Sequence, residues 1–162
     1  MGTAYDSVLT LLEGQKVIYE DLLSISKEKQ TELVKGSLEA LDSLTKREEA
    51  LIFQAGRLED ERFHYTNELI TSNGLETNAT ITEVFQAAPA EVKERMEGIH
   101  REMVEALGEL DKINRENMSL IQQSLRILNY TIEAITQDKK ITYSADEGMI
   151  GEKKSLLLDR RV

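Results

Sequence analysis

The sequence predicts an all-α protein: an elongated antiparallel three-helix coiled-coil bundle with a short extra helix in the second connection and a flexible C-terminal tail. Aromatic residues are only 5% of the 162 residues, whereas 31% are charged and 40% apolar, a mixture typical of long helices that share a narrow seam. Apolar residues recur at alternating steps of three and four along three long segments. We therefore expect a helical bundle over residues 1–136 and a tail over residues 137–162.

The first helix is predicted over about residues 4–35. Its apolar or small uncharged residues form two adjacent stripes, and a face of that width contacts two helices rather than one. The stripes are Val8, Leu11, Gln15, Ile18, Leu22 and Ile25, and beside them Leu12, Tyr19, Leu23, Ser26 and Leu33. Gly36 is a natural C-terminal stop, and Ser37 is suited to cap the next helix.

The second helix is predicted over about residues 38–71. Because its connection to the first helix at Gly36 is very short, the two helices should form an antiparallel hairpin. Its seam reads Leu41, Leu44, Glu48, Leu51, Ala55, Leu58, Arg62, Tyr65 and Leu69. Two interpretations of the charges at Glu48 and Arg62 are open. Their stems pack while their heads reach water, or they fix the register of the hairpin at some cost in stability.

A third long helix is predicted over about residues 90–136. Before it, the turn pair Asn73-Gly74 breaks the pattern, a short helix is expected at about residues 81–87, and Pro89 suits a helix start. A strict seven-residue repeat over this length predicts a left-handed supercoil. Its seam is Val92, Met96, Ile99, Met103, Ala106, Leu110, Ile113, Asn117, Leu120, Ser124, Ile127, Thr131 and Ala134.

The far end of this third long helix is the candidate partner-binding site. At ~1.5 Å per residue it should span ~70 Å against ~45 and ~50 Å for the other two, so its end should pass the Gly36 turn. Residues 90–116 hold 13 charged residues, but residues 117–136 hold two. An apolar helix without an intramolecular neighbour needs a partner. The candidate residues are Leu120, Ile121, Leu125, Leu128, Ile132 and Ile135, with Tyr143, Leu156 and Leu157 in the tail. The alternative is that they pack internally or against a second copy, as a homo-oligomer.

Charge and composition restrict the partners. A net charge of −10 without a basic stripe disfavours nucleic acid and anionic membrane surfaces. No stretch approaches the ~20 apolar residues that membrane insertion requires. The absence of Cys excludes disulfides and thiolate metal sites, and no signal peptide is recognisable at the N-terminus. We therefore expect a cytoplasmic protein.

Both histidines lie in Glu-x-x-His motifs, Glu61 with His64 and Glu97 with His100. A ferritin-like di-iron site uses two such motifs with a Glu from each of two further helices. Here the motifs lie beside the predicted seams, and three long helices are available rather than four. No phosphate-binding glycine motif or nucleophile triad is present either. We expect no metal site, no cofactor and no enzymatic activity.

Two charged segments lie in the second predicted helix, residues 46–51 (KREEAL) and residues 57–62 (RLEDER). They resemble the second helix of the FlgN family of flagellar export chaperones. Residues 117–121 (NMSLI) are similar to its Asn-x-x-Leu-Leu element. Residues 142–148 (TYSADEG) are similar to its Tyr-small-Ala-Asp-Gly motif, with Glu147 as one extra residue.

The resemblance implies a cytoplasmic chaperone that binds the C-terminal segments of hook–filament junction proteins of the FlgK and FlgL type. Such a chaperone prevents premature assembly and presents its clients to the flagellar type III export apparatus. By the same resemblance, Tyr143 would act in docking at the export gate. The alternative hypothesis is a structural coiled-coil protein that self-associates through the apolar end of the third long helix.

Overall fold

The computed structural model describes the backbone of residues 3–158 and the side chains of residues 3–139. Four helices follow one another: α1 (Ala4–Lys35), α2 (Leu38–Ser72), α3 (Ile81–Ala87) and α4 (Ala90–Leu158). No strand occurs in this part of the chain, which confirms the all-α prediction. Contacts divide the chain into two units, Met1–Ser119 and Leu120–Val162, and each is described by itself below.

Helix α1 ends before Gly36, as the sequence predicts, and begins with a capping box formed by Thr3 and Asp6. The Thr3 hydroxyl accepts from the Asp6 N–H, and the Asp6 carboxylate accepts from the Thr3 N–H at 2.7 Å. That backbone hydrogen bond holds the pKa of Asp6 below its usual value. At the other end Gly36 has φ 74°, a left-handed conformation that glycine adopts without steric penalty, and its N–H donates to the Glu32 carbonyl.

Ser37 occupies the N-cap position of α2, but the prediction that its side chain caps the helix is wrong. Its backbone is extended and its hydroxyl makes no capping hydrogen bond. The connection is so short that Ser37 belongs to two helix ends at once. Its N–H closes α1 on the Glu32 carbonyl at 3.2 Å, while its own carbonyl accepts from Leu41 at 3.1 Å.

Cross-helix hydrogen bonds establish the helix directions in the first unit. Residues near the end of α1 pair with residues near the start of α2, as in the Lys29–Glu48 ion pair at 2.8 Å. Near the other end of the hairpin, the Asn73 amide donates to the Tyr5 hydroxyl at 2.9 Å. The hairpin is therefore antiparallel, as predicted. Helix α4 runs parallel to α1, because its bonds to α1 advance in the same direction along both helices, from Glu13 to Gln30 on α1.

The two charged seam residues of α2 both bond to α1. Glu48 accepts from Lys29, and the Arg62 Nε donates to Gln15 Oε1 at 2.9 Å. Gln15 is only 1% exposed, and the side chains of Glu48 and Arg62 are mostly covered. Their heads therefore lie between the helices, in agreement with the interpretation that they fix the register of the hairpin.

The core of the first unit lies where α3 joins the three long helices. Thr80 and Glu83 form a second capping box at the start of α3. The side chains of Val84 and Phe85 on α3 are 0% and 2% exposed, and the Phe85 ring meets the His100 ring edge-on at 5.8 Å. The buried cluster comprises Val8, Leu9, Leu12, Leu69, Ile70, Val84, Phe85, Met96 and Met103. The short helix predicted in the second connection is thus a structural part of the core.

Helix α4 does not end at Thr136, as predicted, but at Leu158. The segment assigned to the tail contains no proline, and proline is the residue that stops a helix most strongly. Gly148 and Gly151 lie within it, but a glycine lowers helix stability by only ~1 kcal/mol. The backbone of residues 137–158 therefore belongs to α4.

Candidate partner-binding face

The predicted seam of α4 is covered as far as Asn117. Met96, Met103, Ala106, Ile113 and Asn117 are all buried in the first unit. All five lie on the predicted seam, and the seam residues Ile99 and Leu110 between them are half-buried. This part of the seam is an intramolecular interface.

One flank of that covered seam is tied to α1 by polar contacts at every seventh residue of α4. The four residues are Arg95, Glu102, Glu109 and Glu116. Their α1 partners are, in the same order, Glu13, Lys16, Lys27 and Gln30. The hydrogen bond between Lys16 and Glu102 raises the pKa of Lys16 and lowers the pKa of Glu102. The flank of α4 that faces α1 is therefore charged throughout residues 95–116.

A buried polar cluster lies at the end of the covered seam. The Asn117 amide donates to the Ser26 carbonyl at 2.9 Å, and the Ser26 hydroxyl donates to Asn114 Oδ1. Asn117 is 5% exposed, and its Oδ1 has no hydrogen-bond partner among the described residues. Sequence reasoning placed Ser26 and Asn117 on their seams but missed their bond. The bond could have been inferred from the sequence, because Ser26 is a polar residue on the α1 seam and Asn117 is a polar residue on the α4 seam that faces it.

From Ile121 to Lys139, every side chain of α4 is exposed, and Leu120 is half-buried. Ile121 is 37% exposed, and Leu125, Leu128, Ile132 and Ile135 are each 52% to 54% exposed. Ile127, which the prediction placed on the seam but not among the candidate residues, is 61% exposed. We call the set Leu120, Ile121, Leu125, Ile127, Leu128, Ile132 and Ile135 the exposed α4 face.

The polar residues in and beside this face are suited to being covered. The Ser124 hydroxyl donates to the Leu120 carbonyl at 3.0 Å, and the Thr131 hydroxyl donates to the Ile127 carbonyl at 2.9 Å. A hydroxyl bonded within its own helix loses no hydrogen bond when an apolar partner displaces water from it. At 100° per residue, the charged residues Arg126 and Glu133 lie roughly opposite the centre of the face.

The other candidate partner-binding residues, Tyr143, Leu156 and Leu157, lie outside the residues whose side chains the structure describes.

The two histidines of the Glu-x-x-His motifs contact aromatic rings. His64 contacts the ring of Tyr65 at 5.5 Å between ring centroids, and His100 contacts the ring of Phe85. Among the side chains of residues 3–139, no three His, Asp or Glu residues are grouped so that they could hold a metal ion. Within the described residues, no helix combines the length and hydropathy of a membrane span.

The chain is similar to a known protein family and to a curated protein of a bacterium. The model of the family described as FlgN protein matches residues 1–149. An uncharacterized protein of Bacillus subtilis (strain 168), YvyG, is 24% identical over 139 residues, which cover 85% of each chain. No solved structure matches the chain.

Proposed function

Because the chain belongs to the FlgN family, a family of flagellar export chaperones rather than enzymes, we propose that it binds the C-terminal segments of hook–filament junction proteins of the FlgK and FlgL type. The observation that carries the proposal is the exposed α4 face, whose apolar side chains remain accessible in residues 121–135. Monomeric proteins rarely leave a contiguous apolar surface uncovered unless it binds something. The client segment is the partner that covers it.

Recognition is expected to be helix against helix. A client segment that forms an amphipathic helix lays its apolar side on the exposed α4 face, and main-chain groups of both helices stay bonded within their own helix. Burying Ile121, Leu125, Leu128, Ile132 and Ile135 would contribute on the order of 5–10 kcal/mol before ordering costs are subtracted. The resulting affinity is moderate, which suits a chaperone that has to release its client.

Covering the client's apolar stripe also explains how premature assembly is prevented. While the client segment packs on the exposed α4 face, its apolar stripe cannot pack against other client subunits. We place this binding in the cytoplasm, before export through the type III apparatus. Tyr143 is proposed as the residue that docks at the export gate, since it lies in the segment 142–148 similar to the family's tyrosine motif.

The proposal is tested by placing charges on the exposed α4 face. The double variant Leu125→Glu with Leu128→Glu should abolish binding of a junction protein from the same organism, measured by isothermal titration calorimetry. Far-UV circular dichroism should stay unchanged, because both leucines are more than half exposed. The matched control, Gln122→Glu with Asn129→Glu, introduces the same charge at exposed positions outside the face and should bind normally. Wild-type affinity in the leucine variant, or a large loss of helicity, would contradict the proposal.

Self-association is the alternative occupant of the same face, because a second copy would also cover its apolar side chains. Sedimentation velocity of the free chain separates the two. The proposal predicts a species whose mass matches one chain in both the wild type and the Leu125→Glu, Leu128→Glu variant. A dimer that forms in the wild type and disappears in the variant would favour the structural coiled-coil protein instead.

A further inference from the structure

Resting on the proposed function, we infer that the exposed α4 face binds two client helices side by side, and that these helices present uncharged residues to the flank of α4. The inference deepens the proposed function by naming the architecture of the partner. Its support is the angular width of the face and a change in charge along one flank of α4.

The exposed α4 face is wider than one helix covers. At 100° per residue, the arc from Ile127 to Leu125 is about 160°. Every other apolar residue of the face falls inside that arc, as do Ser124 and Thr131, whose hydroxyls are already bonded. An apolar stripe of about 100° or more is typical of a helix that faces a core of several elements, whereas the a/d seam against one coiled-coil partner is narrower. One client helix would therefore leave either the Ile127 edge or the Leu125 edge exposed.

The seven-residue repeat of α4 runs on in sequence from its covered part into the exposed α4 face. Leu120 and Ile127 stand seven and fourteen residues after Ile113, which is buried in the first unit. On the other side of the seam, Ile121 stands seven residues after Asn114, which bonds to Ser26 of α1. On the sequence repeat, the exposed apolar residues therefore follow residues that are buried or bonded in the first unit.

The flank of α4 identifies the chemistry of the partner. Residues 95, 102, 109 and 116 are charged and each contacts α1. The next residues in the same seven-residue series are Gln123, Tyr130 and Gln137, and all three are exposed. Charges at these flanking positions select partners in coiled coils. Because the series loses its charges where the exposed α4 face begins, the client helices are expected to have no charge opposite it.

Photo-cross-linking tests the two-helix geometry. The photoreactive residue p-benzoylphenylalanine is placed at Ile127 in one variant and at Ile132 in another, in the full chain bound to a full-length junction protein. These positions lie about 140° apart on the helix. Mass spectrometry of the adducts should map the two cross-links to two different segments of the client. The distance between these segments along the client sequence should exceed the length of one helix. Cross-links that converge on one client helix would overturn the inference, as would cross-links to a second copy of this chain.

Binding titrations together with the cross-links distinguish failure of the inference from failure of the proposed function. Absence of any complex refutes the proposed function and the inference together, whereas a complex with converging cross-links refutes the inference alone.

The charge preference of the α4 flank is tested with Gln123→Glu and Gln123→Lys, with the same changes at Gln122 as controls. Neither Gln123 variant should bind more tightly than the wild type. A gain of more than about threefold for one sign, with a loss for the other, would show a charged partner flank.

Discussion

Replacing Asn117 with leucine is expected to stabilise the first unit. Asn117 is 5% exposed at a seam position of α4, and its Oδ1 has no partner among the described residues. Its amide donates to the Ser26 carbonyl at 2.9 Å and, at the longer distance of 3.5 Å, to the Ser26 hydroxyl. Leucine has a similar branched shape, so it should occupy the same space while removing the unpaired oxygen.

The expected gain follows from three contributions. Removing an unpaired buried oxygen recovers about 1–3 kcal/mol, and losing the bond to Ser26 costs about 1 kcal/mol. Burying the leucine side chain adds about 1.5–3 kcal/mol. The free energy of unfolding should therefore rise by about 1.5–5 kcal/mol, which for a chain of this size raises Tm by about 3–20 °C.

Thermal unfolding followed by circular dichroism at 222 nm, with urea denaturation as a second measurement, tests this expectation. Asn117→Ala is the matched comparison, since it removes the same polar group without filling the space, and it should fall below the leucine variant in stability. A leucine variant with a Tm equal to or below that of the wild type would refute the reasoning. It would mean that the polar cluster is fully satisfied and contributes net stability.

Three further predictions concern the first unit. Phe85→Ala should lower the free energy of unfolding in urea by about 3–5 kcal/mol, because the ring is 2% exposed in the core; a loss below about 1 kcal/mol would contradict its role. Arg62→Ala should cost about 1–3 kcal/mol by leaving the buried Gln15 oxygen unpaired, and an unchanged urea midpoint would argue against that bond. The Lys16 hydrogen bond lowers the pKa of Glu102, so its stabilisation is present at neutral pH and lost as pH falls through the folded-state pKa. The difference in Tm between wild type and Glu102→Gln should therefore shrink from pH 7 to pH 3, and a constant difference would exclude this linkage.

Helix limits in this chain are predictable where strong local signals occur. The end of α1 was predicted because Gly36 adopts a left-handed conformation there, and the start of α4 because Pro89 precedes it. The end of α4 was not predicted, since residues 137–158 contain glycines but no proline. A glycine weakens a helix without determining where it stops. Local sequence therefore determines a helix end only where a glycine adopts a left-handed conformation or a proline lacks the N–H that a helix needs.

The seams were predictable from spacing, but the partners of polar seam residues were not. Period alone placed Arg62 and Asn117 toward neighbouring helices. It gave no information on the bonds to Gln15 and Ser26, because these depend on the relative height of two helices. Exposure of the candidate binding residues followed from helix length and charge distribution. Ile127 lies on the same predicted seam as the candidate residue Leu120 but was not in that candidate set, and the structure leaves it 61% exposed.

Hydrogen–deuterium exchange tests the central claim most directly. The backbone amides of residues 120–139 are measured in the free chain and in its complex with a junction protein. Binding at the exposed α4 face predicts slower exchange in these residues on complex formation, with little change in α2. Protection confined to α1 and α2, with exchange in residues 120–139 unchanged, would contradict the account.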